Sequence, residues 1–469
     1  MTEPGRPTRT GVSQRRRGRT LRGGVVAAGL LAYVATTSTA SAESVGTPST
    51  SKTAESVDTR STQPGTALST SETAQPGTAV STPEAAQSRT APSTSEAAQS
   101  GSASAGPSST PNGTLRLPEP TGSRPVGTTF LYLQDTSRSD PWVPSVKARE
   151  LMVSLWYPAR SPGRERARYM TPKESELLLK SGRITSVPPD ALSRTRTHAF
   201  TDVGPAGRAR TLPLVVLSPG HSKPRTELTA LAEDLASRGH AVAAIDHTYE
   251  NVATTFPDGR VTTCVTCELS KTPEWWAKLT GGRAADVSFV LDQLLAPRPK
   301  WKGARLIDPS RVAMAGHSVG GASAIATMLT DSRVRAGINM DGTTEIRIPD
   351  GGLSRPVLLL GKPATYTPGK GEAAATWERD WKQLTGWKRW LLVTGTAHTS
   401  FTDLGLLMDQ LGIDDGSELP GDRAMDITRA YVGAFFDLHL RNRPQPLLDR
   451  PSSRHPEVEH CSPETRTCR

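Results

Sequence analysis

The run Arg311-Val312-Ala313-Met314-Ala315, followed directly by Gly316-His317-Ser318-Val319-Gly320, decides how this chain is read. The first five residues form a short apolar stretch of strand character. The small and apolar residues from Gly321 to Leu329 read as a helix. Strand, tight turn and helix is the setting of a nucleophile elbow, where a serine hydroxyl stands exposed above the end of a sheet. Glycines two before and two after Ser318 let the backbone turn sharply and the helix pack close. The pentapeptide therefore predicts an acyl-bond-cleaving site with Ser318 as nucleophile.

Working outward, elements alternate. Thr128 to Leu133 and Leu151 to Tyr157 are expected strands, and Leu212 to Leu217 is a strongly apolar one. Thr226 to Arg238 places Leu228, Leu231 and Leu235 at helical spacing, with Gly239 as its stop. Ala241 to Ile245 is a strand. Arg283 to Leu295 carries Val287, Val290, Leu291 and Leu294 on one helical face. Further strands follow at 311–315, 336–340, 357–360 and 390–393, and a last helix at about 425–440. Alternation of this kind predicts a mostly parallel sheet covered by helices on both faces, with its site at the carboxyl ends of the strands. The segment Glu250 to Gly282 interrupts the rhythm and reads as an insertion. It holds Trp275-Trp276, either local packing or a wall facing the substrate.

A serine hydroxyl needs a base, and the base needs a group to orient it. His398 follows the last clear strand in the loop Thr394-Gly395-Thr396-Ala397-His398-Thr399-Ser400-Phe401, where a general base is expected. His317 is expected to point away from where Ser318 acts, and His247 follows a mid-sheet strand. Asp341 ends the strand directly after the elbow helix and is the best-placed acid, with Asp403 and Asp246 as alternatives. The oxyanion hole needs two amides. Those of Val319, after the nucleophile, and of His221, in the loop Ser218-Pro219-Gly220-His221-Ser222, are the candidates.

The two ends of the chain differ from its middle. Residues 1–42 carry Arg15, Arg16, Arg17, Arg19 and Arg22 before an apolar run Gly23 to Ala35, then Ala40-Ser41-Ala42. This is the pattern of an export signal cleaved near Ala42, and places the mature protein outside the cytoplasm. Residues 43–113 are dominated by small and polar types. They repeat every twelve residues: QPGTALSTSETA at 63–74, QPGTAVSTPEAA at 75–86 and QSRTAPSTSEAA at 87–98. Such a segment cannot build a core and is expected to be a disordered stalk, a spacer that would set the domain near a lipid or cell-wall surface. A catalytic domain is expected at 114–448 and a Cys-bearing tail at 449–469. The net charge of +10 misleads, because residues 1–42 hold seven basic residues and one acidic. The remainder is mildly basic and calls for no nucleic-acid partner. The four cysteines pair most simply as Cys264 with Cys267 and Cys461 with Cys468, in keeping with an oxidising compartment. Zinc is the rival reading, and the spacing of the second pair fits it poorly.

Several segments together resemble the platelet-activating-factor acetylhydrolase family, plasma and type II. They are Leu217-Ser218-Pro219-Gly220-His221, Gly316 to Gly321, Met340-Asp341-Gly342, and Ala397 to Asp403. The resemblance extends to Pro125 to Thr128, Glu150 to Pro158, and the helix from Arg283 to Leu294. It spans about 120–445 and implies an α/β-hydrolase fold acting on a small-molecule or lipid ester, without metal or other cofactor. It implies Ser318 as nucleophile, Asp341 as acid and His398 as base, with the amides of His221 and Val319 as oxyanion donors. One departure is Pro219, where family members often carry histidine before the glycine of the oxyanion loop. The expectation is an exported serine ester hydrolase for short-chain acyl or phospholipid-like esters. A lipase or cutinase-like polyesterase is the nearest alternative, and a non-catalytic binding protein of the same fold a more distant one.

Overall fold

The computed structural model describes residues 114–469. The expected export signal and repeat-bearing stalk lie outside the described residues. Twelve strands run in chain order: β1 Val126–Asp135, β2 Arg149–Pro158, β3 Leu212–Ser218, β4 Ala241–His247, β5 Thr254–Thr255, β6 Val261–Thr262, β7 Ile307–His317, β8 Val334–Met340, β9 Val357–Gly361, β10 Lys388–Val393, β11 Val458–Ser462 and β12 Thr467–Cys468. Ten of them form one sheet in the order β1-β2-β4-β3-β7-β8-β9-β10-β11-β12. The six strands from β4 to β10 in that order pair in parallel, and antiparallel pairs close both edges. The short strands β5 and β6 form a separate hairpin.

The described residues hold eight helices: α1 Pro172–Ser181, α2 Thr229–Ser237, α3 Pro273–Leu295, α4 Val319–Thr330, α5 Pro363–Tyr366, α6 Gly371–Trp381, α7 Asp403–Asp409 and α8 Gly421–Arg441. The two faces of the sheet make two cores. On β3, Leu214 and Val216 pack with Val287, Val290 and Leu291 of α3 and with Ile325 and Met328 of α4. Their neighbours Val215 and Leu217 pack with Leu231 and Leu235 of α2 and with Tyr431 and Phe435 of α8. Side chains alternate across a strand, so a strand buried on both sides must be apolar throughout, as β3 is. This is the mostly parallel, doubly covered sheet that the alternating elements predict, and it fits the α/β-hydrolase fold that the resemblance implies.

Several boundaries differ from the sequence reading, three of them near the site or at the edge of the sheet. Helix α3 starts at Pro273, ten residues before the expected start at Arg283, so Trp275 and Trp276 belong to its first turn rather than to an insertion. Gly281 and Gly282 each cost about 1 kcal/mol in a helix interior. Burial of Trp275 and Leu279 and a Thr272 cap that accepts from the Trp275 amide carry the helix through them. The helix expected from Thr226 begins as a short turn at Arg225–Leu228, and α2 proper starts at Thr229. The segment 449–469, expected as a tail beyond the domain, instead supplies an edge of the sheet: Leu391, Leu392 and Val393 of β10 pair with His460, Glu459 and Val458.

Candidate active site

Ser318 sits between β7 and α4 with φ 55° and ψ −125°, a conformation that costs a non-glycine residue about 1–3 kcal/mol. Its surroundings hold it there. The Ser318 amide donates to the Met340 carbonyl at 2.7 Å. A Cβ on Gly316 would come within 2.2 Å of the Gly320 backbone, and one on Gly320 within 2.0 Å of the Ser218 carbonyl oxygen. The elbow therefore admits only glycine at both positions. Val319 is the first residue of α4, so its N–H is one of the amides without an intrahelical acceptor.

Asp341 follows β8, again at positive φ (55°), and is buried. Its Oδ2 lies 2.5 Å from His398 Nδ1, and its Oδ1 accepts the Lys362 amide at 2.9 Å. A proton on Nδ1 leaves Nε2 as the acceptor nitrogen. His398 stands on a short turn after β10, with its side chain 42% exposed. Desolvation first, and the His317 ring second, push its pKa below the ordinary value, against the upward pull of Asp341. The other two candidate acids are engaged elsewhere. Asp246 pairs with Arg225 and accepts from Asn251. Asp403 is buried at the start of α7, accepting the Ala230 amide, and burial pushes its pKa well up.

His317, expected to point away, is buried and reaches the base loop: its Nε2 lies 2.8 Å from the His398 carbonyl oxygen. Nδ1 makes an ion-pair contact at 3.4 Å with Glu227 Oε1. Burial alone would lower the His317 pKa, but the Glu227 carboxylate outweighs it and the pKa is raised. The same Glu227 oxygen accepts the Gly220 amide at 2.7 Å. One buried carboxylate thus joins the oxyanion loop to the histidine behind His398. His317 lies inside the elbow pentapeptide, but no motif marks Glu227 or the meeting of the two, because they come from separate segments.

The loop Ser218 to Ser222 lies between β3 and the turn into α2, as expected. The His221 ring stands edge-on to Trp275 and Trp276, with centroids 5.1 and 5.9 Å away, and its Nε2 lies 3.0 Å from Thr266 Oγ1. Burial, with Arg283 second, lowers the His221 pKa to about 3, so the ring is neutral at working pH. Trp275 and Leu279 pack on Val319, with Trp142 and Trp276 beside them. Both candidate oxyanion residues are therefore backed by one aromatic cluster. Disulfides join Cys264 to Cys267 and Cys461 to Cys468. The first lies against His221, and with both sulfurs bonded to each other neither offers a thiolate to a metal.

A family model described as platelet-activating factor acetylhydrolase, isoform II, matches residues 268–440, which include Ser318, Asp341 and His398. The chain belongs to that family of esterases. A probable 1-alkyl-2-acetylglycerophosphocholine esterase of Arthroderma benhamiae is 28% identical over 383 residues, 75% of this chain and 95% of that protein. The platelet-activating factor acetylhydrolase of Cavia porcellus is 31% identical over 159 residues, 28% of this chain and 34% of that protein. Among solved structures, a ferulic acid esterase from Streptomyces cinnamoneus is 45% identical with a TM-score of 0.65, covering 75% of this chain and 100% of that one. As a member of the family, this chain is an α/β-hydrolase and a carboxylic ester hydrolase. Among the described residues no helix is long and apolar enough to cross a membrane.

Proposed function

We propose that the chain is an exported serine ester hydrolase working through an acyl-enzyme. Ser318 Oγ attacks the ester carbonyl and its proton passes to His398 Nε2, while Asp341 stabilises the imidazolium. The amides of His221 and Val319 take the oxyanion. Collapse breaks the ester bond, and the leaving alkoxide takes the proton from His398. Water then attacks the acyl-enzyme with His398 as base, releasing the acid and restoring Ser318. The observation that carries this reading is the 2.5 Å contact of Asp341 with His398 next to an elbow held at positive φ. Export is supported by the sequence of residues 1–42 and by two disulfides. A fluorophosphonate probe should label the wild type at Ser318 and leave Ser318→Ala unlabelled; equal labelling of both defeats the proposal.

For substrate, the names of the curated relatives favour short-chain acyl or phospholipid-like esters. The aromatic cluster behind the oxyanion residues supports a second reading, esters of aromatic acids. So does the 45% identity to a ferulic acid esterase. Turnover of an acetyl-phospholipid, a triglyceride, a polyester and methyl ferulate by one preparation separates these readings. A methyl ferulate kcat/KM above that for the acetyl-phospholipid selects the second.

A further inference from the structure

Behind the oxyanion loop lies a second Ser–His–Asp chain. Ser218 Oγ is 2.9 Å from His247 Nε2, and His247 Nδ1 is 2.8 Å from Asp286 Oδ2. Its connectivity matches that of a catalytic triad, but all three residues are at most 1% exposed, so no ester can reach the hydroxyl. The partners around it fix every proton. Burial alone would raise the Asp286 pKa, but Arg149 and His247 hold it far below the carboxylate range, so Asp286 is an acceptor. His247 must then donate from Nδ1 and accept at Nε2. The Ser218 hydroxyl donates to that nitrogen and accepts from Arg283 Nη1, 3.2 Å away. Arg283 Nε is held 2.7 Å from Glu250 Oε2, and Glu250 is held in turn by Arg149 and by the Trp142 indole N–H at 2.8 Å.

Arg283 spends its remaining donors on the loop itself. Nη1 donates to the Pro219 carbonyl, and Nη2 lies 3.4 Å from the Gly220 carbonyl oxygen. The opposite edge of the Pro219–Gly220 peptide is held by Glu227, which accepts the Gly220 amide at 2.7 Å. A peptide unit is planar and trans, so its N–H points opposite to its C=O. Drawing the Gly220 carbonyl toward Arg283 therefore turns the His221 N–H away from Arg283, to the other side of the loop.

We propose that Arg283 and Glu227 clamp the Pro219–Gly220 peptide from its two edges and so aim the His221 amide at the oxyanion, with the buried Ser218–His247–Asp286 chain anchoring the clamp. These are positioning residues and touch no substrate. The proposal rests on the serine-hydrolase reading given above.

The test uses the full mature chain and three variants: Arg283→Lys, Ser218→Ala, and Arg283→Met combined with Glu250→Gln so that no charge is stranded. Kinetics on one ester are measured together with the affinity of an alkyl boronic acid, whose tetrahedral adduct with the nucleophile places an oxygen in the oxyanion hole. Expected for Arg283→Lys and the double variant is a fall in kcat of about tenfold to a hundredfold, with KM within about threefold. Boronate affinity should fall by the same factor, and Ser218→Ala should show the same pattern at smaller size. Lysine keeps the charge but cannot reach all these acceptors at once, so it should restore the melting temperature and not kcat. Unchanged kcat, a change in KM alone, or a fall in kcat without loss of boronate affinity overturns the proposal. If the double variant does not fold, Arg283→Lys and Ser218→Ala decide by the same readouts. Fluorophosphonate labelling of wild-type Ser318 is run alongside. Without it the serine-hydrolase reading fails; with it and normal variants, only the clamp fails.

Discussion

His317 Nε2 lies 2.8 Å from the carbonyl oxygen of His398, so the residue before the elbow serine holds the backbone of the histidine that pairs with Asp341. The other end of the same ring meets Glu227, which also binds the oxyanion loop. The Ser318 turn, the His398 loop and the Ser218–Ser222 loop are thus tied through two buried side chains. Replacing His317 by alanine should lower kcat by about tenfold with a smaller change in KM, because the base loop loses its tether. It should also cost about 1–3 kcal/mol of stability by leaving buried polar groups without partners. Chemical denaturation and steady-state kinetics on the same preparation measure both.

Asp341→Asn should preserve the fold, since the asparagine oxygen can still accept the Lys362 amide. It would favour the wrong tautomer of His398, and a loss of about 10⁴ in kcat is the size expected for that change in a triad. A loss of less than about tenfold would remove Asp341 from the mechanism.

The pH profile follows from His398. Its pKa is lowered by desolvation and by His317, so the ring is neutral and able to accept a proton at neutral pH. Activity should be flat around pH 7 and fall on the acid side with a midpoint below the ordinary histidine value of about 6.5. A kcat/KM profile between pH 4 and 8 reads this directly. A midpoint above 7 contradicts it.

The two disulfides should behave differently. Cys264 and Cys267 are three residues apart, so their bond closes a very short loop and adds about 2 kcal/mol or less by chain entropy. It lies against His221, however, whose amide is a proposed oxyanion donor. The double change to serine at 264 and 267 should therefore reduce kcat more than it reduces the melting temperature. The Cys461–Cys468 bond joins β11 to β12 at the edge of the sheet, and its removal should lower the melting temperature while leaving kcat unchanged.

Glu233 in α2 is fully buried and accepts the amides of His198 and Ala199. Burial raises its pKa to about 7 despite those two bonds. Between the unfolded carboxyl value near 4.3 and about 7 the folded state holds more protons than the unfolded state, so stability falls as pH rises through this window. Glu233→Gln does not titrate. Its melting temperature should drop less than that of the wild type between pH 5 and pH 8, and equal drops would refute the shift.

Local sequence carried much of this reading because its cues are local. Leu212 to Leu217 is apolar at every position, which only a strand buried on both faces requires. Gly316 and Gly320 flank Ser318 at the spacing a sharp strand-to-helix turn needs. Such patterns are written within a dozen residues, by the period of the strand or by the sterics of the turn. Where local rules and tertiary packing disagree, the reading slipped. The periodic face places the helix from Arg283, yet α3 runs from Pro273 through Gly281-Gly282 because its first turns bury Trp275 and Leu279. Residues 449–469 looked like a tail, yet hydrogen bonds from β10 draw them into the sheet.

The sequence by itself determined an α/β architecture and nominated Ser318, His398 and Asp341, because each stands at the end of a recognisable strand. It left Asp246 and Asp403 open as acids, since position along a chain does not say where a carboxylate points. Only the tertiary structure puts Asp341 Oδ2 against His398 and gives the other two aspartates different partners. Only it reveals that Glu227, His317 and Arg283, far apart in sequence, converge on the loops around Ser318. Hydrogen bonds at 2.5–3.4 Å depend on how β3, α2, α3 and β7 are stacked, and no local pattern encodes that stacking.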